Sequence, residues 1–66
     1  MDYHDLIGER VRVTDKDGDV YEGELTTYEV GLMDNMDYDS IGIQTGEGYE
    51  EMIPIPDIVN CEILND

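Results

Sequence analysis

Apolar side chains fall on every second position in two stretches of the chain. Val11 and Val13 form the first, and Tyr21 and Leu25, with Gly23 between them, form the second. This is the period of a β-strand with one face in a core. Between the stretches lies Asp17-Gly18, the chemistry of a hairpin turn. A three-residue loop of Lys16, Asp17 and Gly18, closed by Gly18 in the left-handed region, sets Val13 opposite Tyr21, Val11 opposite Gly23 and Asp15 opposite Asp19. On the outer face Arg12 then meets Glu22 and Arg10 meets Glu24, each pair contributing a few tenths to about 1 kcal/mol. A two-residue loop would set Val13 against Glu22 and turn carboxylates toward the core, so the pattern selects the longer loop.

The remaining elements are shorter. Tyr3, Leu6 and Ile7 lie at i, i+3 and i+4, with Asp2 placed to cap the start and Gly8 to end it, which predicts a short helix or helical turn over 2–7. Strand one is expected from about Glu9 to Thr14 and strand two from about Asp19 to Tyr28, with a bend at Gly31. The turn-rich segment Leu32 to Ser40 carries Leu32, Met33 and Met36, which points to a strand edge or contact surface. Ile41 and Ile43 alternate with Gly42 and Gln44 in a third strand, and Gly46-Glu47-Gly48 turns the chain into a fourth, Tyr49 to Ile55. Pro54 and Pro56 lack backbone donors, so they belong at an edge, a strand end or a turn. Pro56 to Val59 suits one helical turn, and Cys61 and Ile63 face inward on a closing strand.

Length and charge narrow the picture. Sixty-six residues make a single domain, 1–66, and a chain so short buries only about 60% of the surface its unfolded form exposes. Help is expected from oligomerisation or a metal, since the single cysteine, Cys61, cannot close an internal disulfide. Acidic residues number 18 against 3 basic ones, a formal net charge of −15, and all three cations sit between Arg10 and Lys16. Such a field opposes encounter with phosphates, so RNA is disfavoured as a partner, and a basic protein is the partner that the acidity attracts. No apolar run approaches a membrane span, and Asp2 and Asp5 stand where a secretory signal needs basic residues. A cytoplasmic location with no membrane association is the expectation.

Five short strands with helical turns at the flanks describe an all-β barrel. The run Gly8, Val11, Val13, Asp17-Gly18, Tyr21, Gly23, Leu25 and Tyr28-Glu29 resembles the first motif of Sm-like (LSm) proteins. The resemblance implies a five-stranded, strongly bent SH3-like barrel preceded by a short N-terminal helix, and assembly by pairing the fourth strand of one copy with the fifth of the next. In RNA-binding members of that family, Met-Asn and Arg-Gly build a base pocket. Those places fall on Leu32-Met33 and Pro54-Ile55 here, so the resemblance implies the barrel with a degenerate RNA pocket. Asp15 takes a position that the family usually fills with an apolar residue.

Candidate chemistry is sparse. Asp15, Asp17, Gly18, Val20 and Glu24 overlay part of a calcium loop, but Val13 stands at its first position and the flanks read as strands instead of helices. Asp15, Asp17 and Asp19, or Asp34, Asp37 and Asp39, could attract divalent ions only weakly. His4 reads as a surface or packing residue, Cys61 as a buried, inert thiol, and Ser40 as a loop residue with no base beside it. No catalytic, cofactor-binding or metal residue is assigned, and no nucleic-acid-binding set is defined. The sequence reads as a non-enzymatic Sm-like interaction or scaffolding module that forms a homo-oligomer. Two alternatives are an RNA-binding Sm-like protein using Arg10, Arg12 and Lys16, and an acidic nucleic-acid mimic that inhibits a DNA-binding protein.

Overall fold

The computed structural model describes residues 2–64. Five antiparallel strands form one sheet: β1 (Arg10–Asp15), β2 (Val20–Glu29), β3 (Ser40–Gly46), β4 (Tyr49–Pro54) and β5 (Ile58–Ile63). Their order is β4-β3-β2-β1-β5, with β4 and β5 as the two outer strands. Helical structure is limited to short 3₁₀ turns at Tyr3–Leu6, Gly31–Asp34 and Ile55–Asp57.

The hairpin takes the expected register. Val13 lies opposite Tyr21, Val11 opposite Gly23 and Arg12 opposite Glu22, and Asp15 N–H donates to the Asp19 carbonyl at 2.9 Å. Gly18 has φ +85°, and its N–H donates to the Asp15 carbonyl at 3.0 Å, which closes the three-residue loop. Gly23 has a different reason to be glycine: a Cβ there would collide with the backbone carbonyl of Gln44 on β3.

One face of the sheet carries the core. Val11, Val13, Leu25, Ile41, Ile43 and Ile53 are buried there with Leu6 from the first 3₁₀ turn, and Tyr3, Tyr21, Tyr28, Ile55, Ile58 and Cys61 pack around them. Asp2 caps that first turn, its Oδ1 accepting from the His4 N–H at 3.0 Å. Gly8 and Glu9 then join β2 at Leu25, whose carbonyl accepts from Gly8 and whose N–H donates to Glu9.

Strict alternation along β2 would turn Thr27 and Glu29 inward after Leu25. The register slips by one residue between Leu25 and Thr27, so Leu25 still faces Ile43 while Tyr28 faces Ile41. The extra residue, Thr26, reverses the phase of the strand and brings the Tyr28 ring against the core. Outside this bulge the Thr26 hydroxyl donates to the Glu50 carboxylate, which reaches across Gly42 from β4.

Several expectations need correction. Ile58 and Val59 begin β5 instead of ending a helical turn, because the 3₁₀ turn starts one residue earlier and stops at Asp57. Ile63 is 43% exposed: β5 is an outer strand, and among the described residues only β1 pairs with it. Cys61 and Tyr21 are half-buried at the border of the core. Segment 32–39 contributes no strand, and Ser40 opens β3 instead of lying in a loop.

Candidate functional site

The loop between β2 and β3 is built around Asp39. Its Oδ2 accepts from the Tyr28 hydroxyl at 2.6 Å and its Oδ1 from the Gly31 N–H at 2.9 Å. Its backbone carbonyl accepts from the Ile55 N–H at 2.9 Å. One residue thus pins the end of β2, the start of the loop and the chain leaving β4. The Tyr28 and Gly31 hydrogen bonds favour the ionised carboxylate and hold its pKa below the ordinary value of 3.8. The same Tyr28–Asp39 bond, helped by burial, raises the Tyr28 hydroxyl above 10.0.

Within the loop, Asn35 adopts a left-handed conformation at φ 59°, and the Met36 N–H returns to the Gly31 carbonyl at 2.8 Å. Gly31 leaves no room for a Cβ, because the Tyr38 carbonyl lies against it. The turned-back loop and the strand face opposite the core enclose an open cleft of about 420 Å³, lined by Glu29, Gly31, Met36, Tyr38, Ser40, Met52 and Pro54. Its floor follows from register: Glu29 pairs with Ser40, and Ser40 with Pro54. Ile41 and Ile53, one residue along, point into the core, so Ser40, Met52 and Pro54 point the other way.

The residues singled out in the sequence are scattered. Asp15, Asp17 and Asp19 do come together, with carboxylate oxygens within 4.8 Å of one another. Asp15 is only 9% exposed, yet its Oδ1 already accepts from the Asp17 and Asp19 N–H groups, each at 2.9 Å, and its Oδ2 from the Tyr21 hydroxyl at 3.1 Å. That carboxylate is the hairpin's internal cap, and its three hydrogen bonds explain how an acid occupies an inward position. In the second acidic group the Asp34 side chain lies outside the described residues, and Asp39 is engaged as above. His4 stacks on Tyr28 with ring centroids 3.8 Å apart, a packing role. Burial raises the Cys61 thiol above 9.0, against nucleophilic use.

All three cations touch carboxylates. Arg12 Nε lies 3.0 Å from Glu22, Arg10 Nη2 reaches Glu22 at 3.9 Å, and Lys16 Nζ lies 3.1 Å from Asp57. Leu32 and Met33 project from the loop almost fully exposed, whereas Pro54 lies in the cleft wall. Sequence reasoning missed the cleft; its signal was Met36 in a turn-rich stretch, read as part of a strand edge or contact surface. No protein-family model, curated protein or solved structure matches the chain. Among the described residues, no helix is long and apolar enough to cross a membrane.

Proposed function

We propose that the chain is a non-enzymatic interaction module of Sm-like, SH3-like barrel architecture, which assembles with copies of itself through the edges of β4 and β5. The strand order carries this reading. It leaves β4 and β5 as outer strands, and both bear exposed apolar side chains, Tyr49 on one, Val59 and Ile63 on the other. An open edge offers unpaired backbone donors and acceptors, and covering it adds the burial that a 66-residue core lacks. Two different edges meeting head to tail give a ring if the rotation closes. The RNA-binding alternative draws less support, since Arg10, Arg12 and Lys16 each already lie beside a carboxylate.

Net charge opposes assembly, and screening relieves it. Light scattering at low and high salt tests the reading: the expected result is a mass above the monomer that grows with salt. A monomer under both conditions overturns it. Lysine at Val59 and Tyr49, both exposed, should return the assembled form to monomer without unfolding it.

A further inference from the structure

We propose that the cleft between the β2-β3-β4 face and the 30–39 loop binds a cationic, partly apolar peptide segment of a protein partner. The proposal rests on reading the chain as a binding module instead of an enzyme. Its wall chemistry is mixed in a specific way. Met36 and Met52 are flexible, polarisable side chains that mould themselves to apolar groups, and Tyr38 offers an aromatic face to a cation. Glu29, an acid, lines the same cleft. Lysine and arginine carry both features, an aliphatic stem that lies on apolar walls and a charged head that stays near an acid.

Charge complementarity selects this occupant over others. Arg10 and Arg12 lie on β1 and Lys16 in the hairpin loop, so no cation lines the cleft. The chain as a whole carries a net charge of −15, which draws in a basic segment and repels a phosphate backbone. A second copy would bring the same −15 to the cleft. The walls also exist before binding: Asp39 fixes the loop through Tyr28, Gly31 and Ile55, which lowers the ordering cost that a partner must offset.

The test titrates the full chain, labelled at its methionine methyls and backbone amides, with a peptide of about eight alternating arginines and leucines at about 0.15 M salt. The control is an arginine–serine peptide of equal length and charge. Supporting results are shifts at the Met36 and Met52 methyls and the Gly31 amide, with the leucine peptide binding about tenfold more tightly than the control. Met52→Ser should weaken it about fivefold and Glu29→Gln about threefold, while Val20→Ser, exposed and outside the cleft, should not. Amide spectra of each variant establish that the fold is kept. Equal affinity for the two peptides, or shifts spread over the acidic surface, overturns the proposal. So do Met36 methyl shifts that follow protein concentration without peptide, the mark of a second copy in the cleft, or tighter binding of a short oligouridylate. Light scattering on the same samples separates the two readings. A chain that assembles with a silent cleft loses this proposal alone, and one that binds the peptide in the cleft but stays monomeric loses only self-assembly.

Discussion

The Tyr28 hydroxyl donates to Asp39 Oδ2 at 2.6 Å, joining the inward-turned end of β2 to the residue just before β3. Both groups titrate away from their ordinary values, and the signs define a pH window. Asp39 is depressed below 3.8, so its contribution to stability is present above the unfolded value and disappears as pH falls through the lower folded one. Tyr28 is raised above 10.0, so its contribution is complete below that value and is lost as pH climbs through the folded one. Urea midpoints of the parent and Asp39→Asn should differ at about pH 7 and converge toward about pH 2. A difference that stays constant with pH would refute this role for Asp39.

Glycines 18 and 23 predict very different costs. Alanine at Gly23 drives a methyl into the Gln44 carbonyl on the neighbouring strand, and a loss of about 3 kcal/mol or more is expected. Alanine at Gly18 meets no neighbour and suffers only from φ +85°, for a loss of about 1 kcal/mol. Denaturant unfolding of both variants checks the order, and equal losses would contradict the close strand approach.

Asp15 holds the hairpin loop from inside. Replacing it with alanine strands the Asp17 and Asp19 N–H groups together with the Tyr21 hydroxyl, at an expected cost of about 2 kcal/mol. Asparagine keeps one carbonyl oxygen for the two backbone donors and should recover more than half of that loss. An alanine variant as stable as the parent would show that the loop closes without this cap.

Side chains from the two ends of the burial scale give the plainest contrast. Leu25→Ala removes a fully buried side chain and should cost about 2–5 kcal/mol, enough to unfold much of a small domain. Leu32, 86% exposed, should tolerate alanine within about 0.5 kcal/mol. Thermal melts report both, at one fixed protein concentration because any self-association would shift the midpoint.

The first hairpin was legible because two signals agreed. Val11, Val13, Tyr21 and Leu25 gave the period, and Asp17-Gly18 gave the turn, so the register could be placed residue by residue. Beyond Leu25 the period breaks: the Thr26 bulge shifts the phase, and no residue type announces a bulge. Alternation likewise turned Ile63 inward, but a strand pattern does not say whether its element is central or outermost. The cleft depended on the 30–39 loop, whose shape comes from Asp39 meeting partners at positions 28, 31 and 55. Those contacts exist only in three dimensions, which is why Asp39 read, with Asp34 and Asp37, only as part of a weak divalent-ion group.

The pairing of β5 with β1, which sets Val11 beside Ile63 and Val13 beside Cys61, has a kinetic consequence. Contacts about fifty residues apart in a 66-residue chain give the topology a high contact order, so closing that gap is a slow step in forming the sheet. During synthesis the β1 edge must wait, unsatisfied, until Ile63 has cleared the ribosome. Over that interval the excess of like charge makes unfinished copies repel one another.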